Sequence, residues 1–234
     1  MKLIKNLFAC LLISASSLLV NAQSMNQLTA AEKQQGWKLL FDGKTLNGWR
    51  NYNNATSDAW YVSEGLIKNK KEDVTGRADL ITREKFDNFE LVFDWKVDKG
   101  ANSGVIYLIE EGKHASYESG PEYQLIDDHG YEHELSDGQK SGANYDMYPP
   151  TSVTSKPVGE FNTSRIIVKD GHIEHWLNGV KVVEYENNSD DWKQRKEKSK
   201  WKDVMPYGQA KSGHIALQDH GGGIYFRNIK VRKL

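Results

Sequence analysis

A carboxylate and an amide lie two positions apart in the stretch Glu122-Tyr123-Gln124-Leu125-Ile126. Its apolar residues, with Pro121 at the allowed first position, predict a β-strand. Successive side chains of a strand alternate between faces, so Glu122 and Gln124 should share one face. Two such groups are costly in a dry core, because each needs a hydrogen-bond partner. The stretch therefore predicts the floor of a wet, concave site that binds a polar ligand.

A second polar cluster, Gln218-Asp219-His220, ends another predicted strand just before three glycines. Gln218 and His220 should share a face, with Asp219 pointing away. A β-sandwich can bring His220 beside Glu122 although the two are distant in sequence. His titrates near neutral pH and burial can raise the pKa of a Glu toward it, so either residue could be a catalytic base. A solvated surface histidine is the alternative interpretation of His220.

One carboxylate and one imidazole can also bind a divalent cation, since these groups suit Mg, Ca, Mn and Zn. Glu122 and His220 are the predicted metal ligands, and Asp127 at the end of the Glu122 strand could join them. The sequence contains no His-Glu-x-x-His motif, the spacing of a helical zinc site. The sequence leaves open which residue is the base and whether a metal binds.

A conventional retaining glycosidase would need two carboxyl groups about 5–5.5 Å apart. Glu122 and Asp127 are close in sequence, but strand alternation puts them on opposite faces unless a bulge intervenes. Arg227 is expected to pair with a carboxylate such as Asp219. The residues predicted to contact a substrate are polar or aromatic and belong to these or neighbouring segments: Gln124, Asp127, Asn102, Gln218, Tyr145 and Trp95.

Strands dominate the remaining sequence. Residues 89–97 alternate apolar and polar side chains, the period of a strand with one core face. Asn178-Gly179 lies between two apolar runs and predicts a tight β-hairpin. The polar residues 127–161 predict a long loop, and loops of that length in a compact domain are usually functional or mobile.

Two helices are predicted beside these strands. Thr29-Ala30-Ala31-Glu32 has the spacing of a capping box and predicts a short N-terminal helix. Residues 190–203 predict a second, Lys-rich helix that Trp192 and Trp201 could anchor. With no internal repeat or composition break, residues 24–234 are expected to form one closed antiparallel β-sandwich with one or two short peripheral helices.

The N-terminal residues resemble a secretory signal peptide. Lys2 and Lys5 precede an apolar run, and small residues follow it, so residues 1–23 predict a leader cleaved after Gln23. The run is short for a membrane span, so no integral span is expected in the mature chain. These features predict export to the periplasm or the cell surface.

Residue composition and net charge limit the chemistry and the classes of partner expected for the mature chain. The only cysteine, Cys10, lies in the predicted leader, which excludes thiol chemistry and disulfides from the mature chain. Loss of Lys2 and Lys5 would take the formal net charge from −1 to −3, which argues against nucleic acid as a partner. Seven Trp and eleven Tyr suit core packing or stacking against a carbohydrate. The sequence does not indicate an oligomeric state.

A set of short motifs recurs in one order along the chain and resembles the 3-keto-disaccharide hydrolase family. The motifs are Leu40-Phe41-Asp42-Gly43-Lys44-Thr45-Leu46-Asn47-Gly48-Trp49, Asn102-Ser103-Gly104, Glu122-Tyr123-Gln124-Leu125-Ile126-Asp127, Leu177-Asn178-Gly179, Leu217-Gln218-Asp219-His220-Gly221 and Phe226-Arg227-Asn228-Ile229. The resemblance runs from about Trp37 to the end of the chain. It implies a concanavalin A-like jelly roll with a sugar-binding concave face, and exported bacterial proteins that act on glycosides oxidised at carbon 3.

The resemblance suggests a chemistry that needs no glycosidase carboxylate pair. A ketone at C3 acidifies the proton on C2, so one modest base can remove it. The enolate then expels the glycosidic oxygen from C1, and water adds to give net hydrolysis. A cation or hydrogen-bond donors would stabilise the enolate oxygen. The expected function is thus an exported enzyme that cleaves 3-keto-glucosides, with a non-catalytic carbohydrate-binding module or a conventional glycoside hydrolase as alternatives.

Overall fold

The computed structural model describes residues 25–234, so the predicted leader at residues 1–23 lies outside it. Two helices and thirteen strands are formed in this range. They are α1 Ala30–Gln34, β1 Lys38–Leu39, β2 Trp49–Asn51, β3 Trp60–Ser63, β4 Leu66–Asn69, β5 Leu80–Thr82, β6 Phe89–Val97, β7 Asn102–Ile109, β8 Glu122–Ile126, β9 Asn162–Lys169, β10 His172–Leu177, β11 Val180–Glu186, α2 Asp190–Lys198, β12 His214–Leu217 and β13 Ile224–Lys233.

The strands form two antiparallel sheets. The larger sheet has eight strands in the order β11-β10-β9-β6-β13-β4-β3, with β1 also paired to β13. The smaller sheet has five strands in the order β2-β5-β12-β7-β8. The expectation of an all-β jelly-roll sandwich is therefore confirmed.

The core lies between the two sheets and is rich in aromatic rings. Phe93 of β6 meets Tyr123 of β8 edge to face, with ring centres 5.9 Å apart. Trp95 of β6 belongs to the same core, with 0 % of its surface exposed, and its indole N–H donates to Ser164 Oγ at 2.8 Å. The prediction that Trp95 contacts a substrate is wrong, because the period-two pattern of β6 directs this ring inward, where no sugar can stack on it.

The long loop after β8 folds back along that strand. Gly142 N donates to Gln124 O at 2.9 Å, Gln124 N donates to Ala143 O at 3.1 Å, and Tyr145 N donates to Glu122 O at 3.0 Å. The opposite edge of β8 is paired with β7. Backbone bonds on both sides therefore hold the strand and fix the direction of its side chains.

Both predicted helices are present. The Thr29 capping box starts α1. Helix α2 ends at Lys198, five residues earlier than predicted, and residues 199–203 continue as turns. Trp192 and Trp201 are both buried, and the Trp201 indole N–H donates to Tyr145 O at 3.0 Å. This contact ties the segment after α2 to the loop that flanks β8.

Candidate active site

The two faces of β8 separate as strand alternation predicts. Tyr123 and Leu125 point into the core, whereas Glu122 and Gln124 point to the outer face of the five-stranded sheet. Glu122 is nevertheless only 5 % exposed. It leans over Gly104 of β7, where an added Cβ would collide with the Glu122 carboxyl group. Close approach of this carboxylate thus requires glycine at position 104.

Amide side chains surround Gly104 on the same face. Gln124 is its register partner on β8, and Gln218 N donates to Gly104 O at 2.9 Å from the other side. The buried Gln218 Oε1 and Asn102 Oδ1 have no hydrogen-bond partner among the described residues. Free acceptors of this kind are costly in a folded protein. They suit a ligand that brings hydroxyl donors.

The environment of Glu122 favours its protonated form. Burial raises the pKa of Glu122 to about 8, and the negative charge of Asp79 adds to the rise. The positive charge of Lys200 and a hydrogen bond from Gln218 act in the opposite direction. A carboxyl group with this pKa can exchange a proton near neutral pH.

Lys200 is a positive group at this site that sequence reasoning missed. Its ammonium lies 4.1 Å from the Tyr145 ring centre and 4.3 Å from the Trp201 ring centre, a cation–π arrangement. Its backbone N–H donates to Asp146 Oδ2 at 2.8 Å. Burial lowers the pKa of Lys200, whereas the charge of Glu122 raises it. The sequence predicts only a Lys-rich helix in residues 190–203, whereas in the structure Lys200 lies in the turn after α2.

Asp79, also missed, connects the two predicted catalytic residues electrostatically. It lies just before β5, accepts a hydrogen bond from Ser116 Oγ, and accepts another from Asp219 N at 2.7 Å. Burial raises the pKa of Asp79, Asp219 adds to the rise, and His220 opposes it. The charge of His220 thus affects the pKa of Asp79, and the charge of Asp79 affects the pKa of Glu122.

His220 is exposed and lines a cleft of about 480 Å³ together with Asn102 and Tyr131. Glu122 does not line this cleft, because it pairs with Ile106, four positions along β7 from Asn102. No hydrogen bond joins His220 to Glu122 in residues 25–234. In the structure the two residues are linked by charge interactions through Asp79 and not by a shared cleft.

Two expectations about charged residues are wrong. Asp127 accepts hydrogen bonds from the backbone N–H groups of Gly100, His129 and Gly130, and it stabilises a turn instead of facing a ligand. Burial alone would raise the pKa of Asp127, but these N–H groups hold it below its usual range. Asp127 is therefore ruled out as a substrate contact or as partner to Glu122 in a retaining glycosidase.

The predicted pairing of Arg227 with Asp219 is replaced by two separate ion pairs. Arg227 Nε lies 3.2 Å from Asp94 Oδ2, and Arg77 Nη1 lies 2.8 Å from Asp219 Oδ1. The other carboxylate oxygen of Asp219 is buried and has no hydrogen-bond partner within residues 25–234. Arg77 therefore belongs to the border of the site, which sequence spacing alone gave no reason to suspect.

The residues around Glu122 do not form a ready metal site. In the described part of the chain, His172, Glu174 and Glu184 are the one group of three or more His, Cys, Asp or Glu side chains close enough to share an ion. Glu122 and His220 are not in that group, and the positive charge that acts on Glu122 is that of Lys200. A cation at Glu122 and His220 stays a prediction, and no chemical step below depends on it.

Residues 36–232 match the family model described as the 3-keto-alpha-glucoside-1,2-lyase-like domain. The chain belongs to this family. A curated relative, the 3-keto-disaccharide hydrolase of Bacteroides thetaiotaomicron, is 34 % identical over 92 % of this chain and 84 % of its own length. The predicted resemblance is confirmed, and with it the expectation of an enzyme of the glycoside-hydrolase class.

Solved structures agree with the family assignment. A protein of Parabacteroides distasonis described as a candidate glycosyl hydrolase is 40 % identical, with a TM-score of 0.85 over 90 % of this chain and 100 % of that chain. A carbohydrate-binding module of Bacillus subtilis shares the fold at 12 % identity, with a TM-score of 0.50 over 80 % of this chain and 96 % of its own. Among residues 25–234, no helix is long and apolar enough to cross a membrane.

Proposed function

We propose that the chain cleaves 3-keto-glucosides by β-elimination followed by addition of water. Glu122 takes the proton from C2, the C1–O bond breaks, and His220 gives a proton to the departing oxygen. Water then adds to C1 of the enone while a proton returns to C2, so the net reaction is hydrolysis. The observation that carries this proposal is a buried carboxyl group with a pKa of about 8, hydrogen-bonded to Gln218, whose amide oxygen has no partner among the described residues.

Lys200 supplies the positive charge in this scheme. When the C2 proton leaves, negative charge develops on the C3 oxygen, and a nearby ammonium lowers the energy of that enolate. The unpartnered oxygens of Gln218 and Asn102 accept hydrogen bonds from sugar hydroxyls. The polar floor and the buried carboxyl group favour an enzyme over a binding module, which would present an open aromatic platform.

The first experiment compares a 3-keto-glucoside with its unoxidised parent, each with and without a chelator. Cleavage of the keto substrate alone is expected. Cleavage of the parent as well would contradict the elimination route, and cleavage of neither would favour the binding module. Loss of activity with chelator, restored by added metal, would support the predicted cation at Glu122 and His220.

His220→Ala should slow cleavage by about 10²–10⁴-fold when the aglycone is a sugar, because the departing alkoxide needs a proton. A nitrophenyl aglycone leaves without that help, so the same variant should retain most of its activity on a nitrophenyl 3-keto-glucoside. His133→Ala, an exposed histidine of the long loop, is the matched control. An equal loss on both substrates would contradict the assignment of His220 as the acid.

Gly104→Ala should reduce the cleavage rate by about 10²-fold, because the new methyl group displaces the Glu122 carboxyl group. Gly138→Ala is the matched control, since its added Cβ meets neighbours at ordinary distances of 3.5 Å or more. Circular dichroism and thermal unfolding would establish that both variants fold. A fully active Gly104→Ala enzyme would show that the position of Glu122 is not critical.

Export is a further proposal, based on the leader-like residues 1–23. The full-length gene expressed in a bacterial host should yield a protein whose N-terminus is Ser24, found in the periplasm or at the surface. Recovery of the uncleaved chain from the cytoplasm would contradict this proposal.

A further inference from the structure

A second cluster of metal-binding side chains lies on the β10–β11 hairpin, at the edge of the eight-stranded sheet and away from Glu122. His172 and Glu174 of β10 and Glu184 of β11 offer ligand atoms that all lie within 4.8 Å of one another. Ile173 and Leu177 of β10 are buried in the core, so strand alternation puts His172 and Glu174 on the outer face.

The spacing of these atoms fits a small tetrahedral ion. His172 Nε2 lies 3.4 Å from Glu174 Oε1 and 3.3 Å from Glu184 Oε1. Zinc bonds to nitrogen and oxygen of about 2.0–2.1 Å give a tetrahedron with edges of about 3.3–3.4 Å. Two edges of the ligand triangle therefore already have the required length.

Contacts with neighbouring side chains orient two of the three proposed ligands. His172 Nδ1 is 2.6 Å from Glu186 Oε1, and a carboxylate in this position orients the ligand histidine in many metal sites. The Trp176 indole N–H donates to Glu174 Oε2 at 2.6 Å, which leaves Glu174 Oε1 toward the cluster.

The charge balance also favours a cation. Glu174 and Glu184 are direct cross-strand partners, and like charges in that position are destabilising. Lys181 lies 2.6 Å from Glu184 Oε2 and 3.5 Å from Glu174 Oε1. The three carboxylates of Glu174, Glu184 and Glu186 thus surround the His172 ring, and Lys181 supplies one ammonium to this cluster.

We propose that His172, Glu174 and Glu184 bind a first-row divalent cation such as Zn²⁺, which joins β10 to β11. Water completes the coordination, since the site is at the surface. The bound ion has a structural role, because the hairpin is in the opposite sheet from Glu122.

Calorimetric titration of the protein with ZnCl₂ tests this site, with thermal unfolding as a second readout. The wild type should bind Zn²⁺ and unfold at a higher temperature with the ion present. Glu186→Gln should weaken binding by about 10–100-fold, and His172→Ala and Glu184→Gln should weaken it further. Lys181→Ala should bind at least as tightly as the wild type, because it removes a competing cation.

Two variants act as controls. Glu197→Gln removes an exposed carboxylate on α2, and His220→Ala removes the ligand predicted at the candidate active site. Neither should change the affinity for Zn²⁺ at the hairpin. Failure of the wild type to bind Zn²⁺, or equal binding by His172→Ala and the wild type, would overturn the proposal. This titration needs no substrate, so its outcome is independent of the proposed hydrolysis.

Discussion

Glu122→Gln is expected to slow cleavage of a 3-keto-glucoside by about 10²–10⁴-fold, because the amide cannot take the C2 proton. In the wild type, kcat/KM should rise with pH and level off above about 8, where the Glu122 carboxylate is formed. The variant should lose this rise. Steady-state rates between pH 5 and 10 would measure both effects, with Glu197→Gln as a control carboxylate that leaves the profile unchanged.

The same substitution should also change the pH dependence of stability. The folded pKa of Glu122 is raised above its unfolded value, so its contribution is fully present below pH 4.5 and is lost as pH rises through about 8. Glu122→Gln carries no such titration. The unfolding free energy of the variant, measured relative to the wild type by urea titration, should therefore increase from pH 5 to pH 9. A constant difference would contradict the raised pKa.

Lys200→Met is expected to lower the cleavage rate by about 10²-fold, since the enolate loses its neighbouring positive charge. It should also move the pH profile. The Lys200 charge lowers the pKa of Glu122, so its removal should shift the rising limb of kcat/KM to higher pH. The profile of the variant on a 3-keto-glucoside measures both changes.

Two further variants distinguish charge from packing at this position. Lys202→Met removes an exposed lysine of the same turn, which pairs with Glu197, and should leave the rate and the profile unchanged. Lys200→Arg retains a positive charge and should retain the position of the limb. A Lys200→Met enzyme with a slower rate but an unshifted limb would show that Lys200 acts only by packing against Tyr145 and Trp201.

The local patterns predicted from the sequence follow from short-range geometry. Strand alternation placed Glu122 and Gln124 on one face of β8 because the side-chain period is two. Asn178 and Gly179 form the predicted hairpin turn because both adopt positive φ angles, 50° and 84°. The pattern of its own strand was therefore sufficient to identify Glu122 as an unusual residue.

Apart from Trp95, whose core position follows from the period-two pattern of β6, the errors and omissions concern tertiary partners. The Asp127 carboxylate meets the N–H group of Gly100 across 27 positions, and no local pattern encodes that turn. Asp79 enters the site through hydrogen bonds to residues 116 and 219. Lys200 enters it because the Trp201 indole is fixed on Tyr145 O. Such partners follow from how the sheets and loops pack, which one sequence does not reveal.

Residues 142–145, which hold the outer edge of β8, also bear on the solubility of the protein. The last strand of an open sheet presents unpaired N–H and C=O groups that can recruit a strand from another molecule. Here the backbone of Glu122 and Gln124 is already bonded to that segment. The strand that carries the proposed base is thereby shielded from intermolecular β-pairing, so the loop that shapes the site also guards against aggregation.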